Sequence, residues 1–283
     1  MESFSSDKYL TISSSLKRWE VEDYDRYFDV KREKTKNSPA FLVIRSLLMA
    51  YKTFLVIRYF YPPKNQENSD DSLLIWKKYH WIFFVFMQGK ILSFIHFKKQ
   101  MRQENIVQIG SILKLMSQLM LASGASMLFA GASQRKAYEN EIRPSMMPPN
   151  VNSPDFSGLM SYDHAYLIYL WNQEKELFKL IPPFLKLPYE EFLDAHKFLA
   201  LAHKFVCQKY GGDEGGSLRE KKVTALENLE ILNASRRRLI INSNSHVLEP
   251  NSHLILLKDE SRYENYIKMG LKSYSELLLK SFM

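Results

Sequence analysis

A histidine and the chain's single cysteine lie four residues apart in the segment AHKFVCQKYGG, at His203 and Cys207. On a helix, residues four apart share a face. One histidine and one cysteine cannot hold a structural zinc ion by themselves, and a catalytic Cys–His pair usually comes from separate segments. The residues alone therefore leave a plainer interpretation open, a core cysteine beside a surface histidine.

The glycine-rich segment and one loop arginine could each bind an anion. The segment GGDEGGS, residues 211–217, holds four of the chain's ten glycines, and such a segment can present successive backbone N–H groups to an anion. Arg143 lies in the otherwise apolar loop IRPSMMPP, where an arginine usually pairs with a carboxylate or a phosphate. With the aromatic helices, these groups and His203 predict an apolar pocket for an aromatic amino acid above a flat cofactor.

Helices must position these residues, because apolar side chains recur at helical spacing through most of the chain. Prolines and polar runs mark loops at residues 61–72 and 142–159, and Asp70 or Asp71 is the expected N-cap after the first loop. The predicted helices are residues 39–60, Ser72 to about Lys99, Glu104 to about Tyr138 with an interruption near Gly124, Asp163–Leu180, Tyr189–Tyr210, Leu218–Leu232 and Tyr263–Phe282. A short hairpin is expected within Ser235–Ser261. The predicted fold is mainly α, with an amino-terminal lead (residues 1–38) and one helical domain (residues 39–283).

Composition and charge restrict the class of protein. Of the 283 residues, 46% are hydrophobic and 25% are charged, which predicts a folded chain with a substantial core. One cysteine excludes an intrachain disulfide framework, and with no signal-peptide pattern at the amino terminus it favours a cytoplasmic location. The net charge of +8 is spread over scattered basic residues, which favours a solvated surface over nucleic-acid binding.

Three apolar stretches, Phe41–Phe60, Trp81–Ile95 and Leu115–Ala132, require a membrane check. The first contains three basic residues, the second is too short and contains a lysine, and the third has four polar interruptions. A spanning helix usually has few such interruptions. All three are therefore interpreted as buried helices, and no membrane partner is expected.

Three segments carry a resemblance to a known family. They are DDSLLIWKKYHWIFFVFMQGKI (residues 70–91), IRPSMMPPNVNSPDFSGLMSYDH (142–164) and AHKFVCQKYGGDEGGSLR (202–219). In this order they resemble the first pocket helix, the arginine and serine–glycine loop, and the ligand helix of the tryptophan 2,3-dioxygenase-like superfamily of heme proteins. In this chain 38 residues separate His164 from His203, and three residues separate His203 from Cys207. This spacing resembles the His-x38-His-x3-Cys motif of the superfamily's heme-dependent 3-methyltyrosine hydroxylases, which are enzymes of saframycin-type natural-product biosynthesis.

The resemblance implies a single-domain helical bundle that encloses a heme. It implies that His203 is the proximal iron ligand, that Cys207 forms a thioether to the porphyrin edge, and that His164 is a dissociable distal ligand. The residues implied to bind the substrate are Arg143 at its carboxylate, Phe156 and Ser157 beside it, and Gly215, Gly216 and Ser217 at its polar end.

His80 lies in the aromatic run YHWIFFVF of the first pocket helix and has two interpretations. It is either a distal acid/base near the substrate phenol or a core histidine. His196 is a weaker ligand candidate than His203, because no cysteine follows it by four residues. The other aromatic residues of the first pocket helix fit a plain core better than a pocket wall: Trp76, Tyr79, Phe83 and Phe84.

The resemblance implies hydroxylation of the ring of tyrosine or a derivative such as 3-methyltyrosine. The oxidant would be peroxide, or dioxygen with an ascorbate-like reductant, and a homo-oligomer is one expected state. The alternatives are a tryptophan-directed heme oxygenase or dioxygenase and a non-catalytic heme-binding sensor. The chain has Ser69 or Asp70 where the family dioxygenases carry a distal histidine, so the dioxygenase reaction is the weaker expectation.

Overall fold

The described part of the chain is built from α-helices. The computed structural model describes residues 18–29, 39–60, 71–152, 156, 158–211 and 260–282. Its longer helices are α1 (Arg18–Tyr27), α2 (Pro39–Phe60), α3 (Ser72–Arg102), α4 (Ile106–Ala130), α5 (Tyr162–Glu174), α6 (Lys186–Gly211) and α7 (Glu260–Phe282). The described residues contain no strand, which confirms the mainly α class. The helix predicted over residues 218–232 and the hairpin predicted before residue 260 lie outside the described residues.

Helix α4 lies at the centre and packs against α3, α6 and α7. Its serines do not interrupt it, because the hydroxyls of Ser117, Ser123 and Ser126 each donate to the carbonyl four residues earlier. Gly124 also continues the helix. A Cβ at Gly124 would lie 2.6 Å from the ring of Phe198 on α6, so the glycine permits a close approach of the two helices. The predicted interruption near Gly124 is therefore wrong.

Helix α4 is also the one described helix whose length and hydropathy suit a membrane span. In the folded chain, 78% of its most apolar window is buried inside the protein. Such burial is typical of a core helix, and it agrees with the interpretation of this stretch as a buried helix.

Helix α2 has one buried and one exposed apolar face. Leu47, Phe54 and Ile57 are buried, and α2 contacts α3 and α7. The opposite face is apolar but exposed, with Ile44, Leu48, Met49, Tyr51, Leu55, Val56 and Tyr59. The interpretation of residues 41–60 as a buried helix is wrong for this face, because the described helices that contact α2 leave it exposed.

Helix α4 ends at Ala130, eight residues before its predicted end at Tyr138. Gly131 is its C-cap, and the hydroxyl of Tyr210 on α6 donates to the carbonyls of Gly131 and Ser133 at 2.8 and 2.7 Å. Short helical turns follow, including a π turn over residues 138–142. A side chain of α6 therefore forms hydrogen bonds with the carbonyls that follow the last turn of α4. The local sequence predicted a longer helix, because it does not show this contact with a distant segment.

The other helix boundaries lie close to their predicted positions. Asp71 precedes α3 as its N-cap, although its side chain makes no capping hydrogen bond. Helix α5 ends at Glu174 and continues as a 3-10 turn to Leu180, the predicted end. Helix α6 begins at Lys186 and accommodates Pro188 in its first turn, where the missing N–H of proline costs no helical hydrogen bond.

Part of the predicted amino-terminal lead packs onto the rest of the chain. Tyr24, Tyr27 and Phe28 are buried. The buried carboxylate of Asp23 accepts hydrogen bonds from the backbone N–H and the side-chain amide of Asn152, at 2.7 and 2.9 Å. Residues 18–29 therefore contribute to the core, while the division of the chain at residue 38 stays a prediction.

The buried aromatic side chains form two groups at opposite ends of α3 and α6. The tyrosine cluster, at the start of α3 and the end of α6, contains Tyr24, Tyr27, Trp76, Tyr138 and Tyr210. The phenylalanine cluster, at the other ends of the two helices, contains Phe94, Phe97, Trp171, Phe178 and Phe192. Both provide buried apolar area, which is the main stabilising contribution to such a bundle.

Candidate functional site

His203 and Cys207 lie one turn apart on α6, beside the stripe that packs on the core. Ala202, Val206 and Tyr210 are buried, whereas His203 and Cys207 are partly buried. Burial raises the pKa of the Cys207 thiol to about 11. At neutral pH this side chain is therefore a neutral thiol and a weak nucleophile.

Arg143 and Cys207 both influence one of two stacked tyrosines. The rings of Tyr138 and Tyr210 stack with centroids 4.2 Å apart and planes 12° apart. Burial raises the pKa of the Tyr138 phenol to about 12, the positive charge of Arg143 lowers it, and Cys207 raises it. The predicted residues Arg143 and Cys207 thus both act electrostatically on Tyr138, although they lie 64 positions apart in the chain.

Trp76 and His80 form the next part of the same site. Their ring centroids are 4.1 Å apart, and Trp76 also contacts the edges of Tyr138 and Tyr210, at 5.7 and 6.2 Å between centroids. His80 Nδ1 lies 2.8 Å from the backbone carbonyl of Trp76. Because a carbonyl can only accept, Nδ1 must carry the proton and donate.

Burial lowers the pKa of His80 to about 4, so the imidazole is neutral at neutral pH. In a neutral ring whose Nδ1 is protonated, Nε2 carries a lone pair. Within the described part of the chain, Nε2 has no hydrogen-bond partner. His80 therefore packs against aromatic rings, as the core interpretation predicts, and its Nε2 can accept a hydrogen bond. Its role as a distal acid/base stays a prediction.

Phe156 and helix α1 cover the other side of His80. The ring of Phe28 stacks on His80 with centroids 5.1 Å apart. Phe156 contacts Phe28 and Tyr27, at 6.1 and 4.9 Å between centroids, and the Tyr27 hydroxyl lies 2.7 Å from Ser145 Oγ. A continuous path of ring contacts thus links Phe156 through His80 to the stacked tyrosines.

His164 lies in the first turn of α5 and is positioned by a different contact. Its Nδ1 lies 3.3 Å from the carbonyl of Gly158, so this nitrogen carries a proton and donates to that carbonyl. His164 is partly buried. Its neighbour Asp163 is buried and lies near the buried hydroxyl of Tyr274, whose pKa is raised by burial and by that carboxylate.

Four of the predicted substrate-binding residues lie outside the described residues: Ser157, Gly215, Gly216 and Ser217. Their predicted roles stay predictions. The other predicted site residues are all described. Ring contacts join Phe156 and His80 to the tyrosine cluster, and Arg143 and Cys207 both influence the pKa of Tyr138.

The donor groups restrict what the site could bind. Among the described residues, no group of three or more His, Cys, Asp or Glu side chains could hold a metal ion. His203 and His164 offer single imidazoles, and one or two imidazoles suit a metal already held by a planar organic ring. The described residues therefore fit a ring-bound metal better than a free ion.

Sequence reasoning missed three residues that hold the site together. Tyr138 and Tyr210 were not singled out, and Trp76 was assigned to a plain core. One signal was available for Tyr210, which lies seven residues after His203 and so on nearly the same face of α6. Tyr138 had no such signal, because its contact with Tyr210 joins two segments that are far apart in the sequence.

Comparison with known proteins matches less than half of the chain. Residues 60–187 match the family described as SfmD 3-methyl-L-tyrosine peroxygenase. This range contains Trp76, His80, Arg143, Phe156 and His164, and it ends before the two residues singled out on α6.

A curated relative gives the same indication over a shorter range. The 3-methyl-L-tyrosine peroxygenase of Streptomyces lavendulae is 32% identical over 107 residues, which are 38% of this chain and 28% of the relative. No solved structure matches the chain. Over the matched residues, which carry most of the candidate site, the chain is similar to enzymes described as 3-methyl-L-tyrosine peroxygenases.

Proposed function

We propose that the chain is a heme-dependent peroxygenase that hydroxylates the ring of tyrosine or a derivative such as 3-methyltyrosine. The observation that carries this proposal is the meeting of His80, Arg143 and Phe156 at one aromatic cluster. All three lie within the residues that match the peroxygenase family. They offer a base, a carboxylate-binding cation and an apolar wall, which are the groups that an aromatic amino acid requires.

The residues of α6 fit a heme. His203 provides the imidazole that would hold the iron, and Cys207, a neutral thiol one turn later, is suited to a thioether at the porphyrin edge rather than to iron ligation as a thiolate. His164 is the proposed dissociable second ligand. When bound, a heme supplies activation of peroxide and transfer of one oxygen atom. An enclosing bundle of the tryptophan 2,3-dioxygenase-like type is part of this proposal.

The remaining steps belong to the protein's own side chains. The Arg143 guanidinium would bind the substrate carboxylate with two parallel hydrogen bonds. His80 Nε2 would accept a hydrogen bond from the phenol hydroxyl, which increases the electron density of the ring carbon next to it. The aromatic side chains around Trp76 would exclude water from the reacting ring.

The description of the relatives favours peroxide over dioxygen with a reductant as the oxygen source. A role in natural-product biosynthesis, a cytoplasmic location and a homo-oligomeric state are further parts of the proposal. A tryptophan-directed oxygenase and a non-catalytic heme sensor are the outcomes against which it is tested.

The test is expression with a heme precursor, followed by optical titration of the purified chain with tyrosine, 3-methyltyrosine and tryptophan. We expect a Soret band that shifts with the two phenols. With hydrogen peroxide labelled with ¹⁸O, the product should be heavier by one labelled oxygen atom. Absence of heme binding would refute the proposal, turnover of tryptophan alone would favour the indole-directed enzyme, and heme binding without turnover would favour the sensor.

Covalent attachment at Cys207 can be tested separately. Denaturing mass spectrometry should give an intact chain heavier by one heme, and Cys207→Ser should release its heme into acidified organic solvent. A wild-type chain that retains its bare polypeptide mass after heme loading would leave Cys207 as a thiol that only packs beside the heme.

A further inference from the structure

We propose that Trp76 is a specificity-determining residue whose indole N–H donates a hydrogen bond to the phenolic oxygen of the substrate, the same hydroxyl that donates a hydrogen bond to His80. This inference rests on the proposed function and deepens it. It restricts the substrate to phenols and assigns a binding role to a residue that sequence reasoning placed in the core.

The first observation is a buried donor without a partner. The Trp76 side chain is only 7% exposed, and among the described residues its Nε1 has no hydrogen-bond partner. A buried N–H group that lacks an acceptor is destabilising, and native proteins rarely retain one. An acceptor supplied by a bound molecule would remove this penalty.

The second observation is the acceptor beside it. His80 Nδ1 is used by the Trp76 carbonyl at 2.8 Å, so the lone pair on Nε2 is available. The two rings lie 4.1 Å apart between centroids, which brings an unused donor and an unused acceptor into one small region. The nearby hydroxyl of Tyr210 does not serve Trp76, since Trp76 Nε1 has no hydrogen-bond partner among the described residues.

The chemistry of this pair matches a phenol. A phenolic hydroxyl donates one hydrogen bond and accepts others, so it can satisfy His80 and Trp76 together. An indole can only donate, which would leave the Trp76 N–H without a partner, and a phenyl ring can do neither. A site built around paired polar groups discriminates strongly against ligands that lack them, because those groups then stay buried and unpaired.

A second tryptophan shows that an unpaired N–H group alone does not make a site. Trp171 Nε1 is also buried without a partner among the described residues, and its ring contacts His196 at 5.5 Å. Its other ring neighbours are phenylalanines, and His196 has a further interaction of its own. Trp171 therefore lacks the free acceptor that accompanies Trp76, and it is a matched control.

The experiment measures binding by calorimetry on the full, heme-loaded chain, with L-tyrosine and L-phenylalanine as ligands. In the wild type we expect tyrosine to bind at least about 10-fold more tightly, the scale of one or two hydrogen bonds. Trp76→Phe should weaken tyrosine binding by roughly 3- to 10-fold on the same scale and leave phenylalanine binding unchanged. Trp171→Phe should change the affinity of neither ligand.

The outcomes separate this inference from the proposed function. Equal losses for tyrosine and phenylalanine in Trp76→Phe, or equal effects of the two tryptophan variants, would overturn the inference. Wild-type binding of both amino acids with equal affinity would overturn it without any variant, so a variant that fails to fold does not prevent a decision. A wild-type chain that binds heme but neither amino acid would overturn the proposed function as well.

Discussion

Two tryptophan–histidine pairs lie in the aromatic interior of this protein, one at each end of α3 and α6. Trp76 and His80 lie in the tyrosine cluster with ring centroids 4.1 Å apart, and Trp171 and His196 lie in the phenylalanine cluster at 5.5 Å. Both tryptophans are 7% exposed. The composition of the two pairs is the same, and the difference lies in what surrounds them.

The phenylalanine cluster is organised for packing. Phe178 and Phe192 stack with centroids 5.6 Å apart and planes 1° apart, and both stack on Trp171. The tyrosine cluster instead combines ring packing with phenols, a guanidinium and a free imidazole nitrogen. Buried polar groups cost free energy unless they are paired. A cluster that retains them is therefore the better candidate for binding a ligand, and the other cluster is the better candidate for stabilising the fold.

The largest difference is expected for the two histidines of α6. His196 contacts the phenylalanine cluster, and His203, seven residues later, precedes Cys207. We expect His203→Ala to lose essentially all Soret absorbance after heme loading, because the iron loses its proximal imidazole. His196→Ala should retain it, and circular dichroism should show intact helices in both variants. Loss of heme from His196→Ala alone would mean that the wrong histidine was chosen.

The second prediction tests the packing role of the phenylalanine cluster. Phe192 is fully buried, so Phe192→Ala should lower the free energy of unfolding by about 3–5 kcal/mol, the usual cost of deleting a core aromatic ring. Urea unfolding followed by circular dichroism measures this change. Leu187→Ala, on the exposed side of the same helix at 67% exposure, is the control and should change little. An unfolding midpoint unaffected by Phe192→Ala would contradict a purely structural role.

The third prediction concerns the charge at the tyrosine cluster. Arg143→Lys keeps the positive charge but loses the two-pronged geometry of the guanidinium. A hydrogen bond to a charged group contributes about 1.5–3 kcal/mol, so tyrosine affinity should fall by roughly 10- to 100-fold. Tyramine has no carboxylate, and its affinity should be unchanged. Equal losses for tyrosine and tyramine in an optical titration would remove Arg143 from the carboxylate-binding role.

The smallest expected effect is the pH dependence that His80 adds to stability. Burial holds its pKa at about 4, below the ordinary value of 6.5. Between these two pH values the unfolded chain binds the proton and the folded chain does not, so stability rises with pH across this window and is fully present above pH 6.5. The slope from this group is at most about 1.4 kcal/mol per pH unit.

Urea unfolding at pH 7, 5.5 and 4.5 measures this slope, with His80→Phe as the comparison. Neither ring neighbour of His80, Trp76 or Phe28, titrates in this range. The stability of the wild type should therefore fall more steeply than that of His80→Phe as the pH is lowered. Parallel pH profiles for the two proteins would show that His80 is solvated and not held as a neutral base.

The amino-acid sequence alone determined the helical class and most helix boundaries. Asp71 at the start of α3, the prolines after Arg143 and the apolar spacing of α6 are local signals, and local hydrogen bonding and backbone sterics suffice to interpret them. The sequence also indicated Arg143, His80 and Cys207 as candidates, since their residue types are unusual in apolar surroundings. The predicted interruption of the helix near Gly124 was wrong. This glycine continues the helix and lies where the ring of Phe198 leaves no room for a Cβ.

Only the tertiary structure decided how these candidates combine. Phe28, directly after α1, stacks on His80, Tyr138 stacks on Tyr210 from a distant segment, and one face of α2 stays exposed although it is apolar. Each of these features depends on which helix faces pack together. Periodicity identifies an apolar face, but it does not specify the partner, because hydrophobic burial is non-directional. The proposed functional distinction between Trp76 and Trp171 arises in the same way, from neighbours that the packing of the helices brings to each ring.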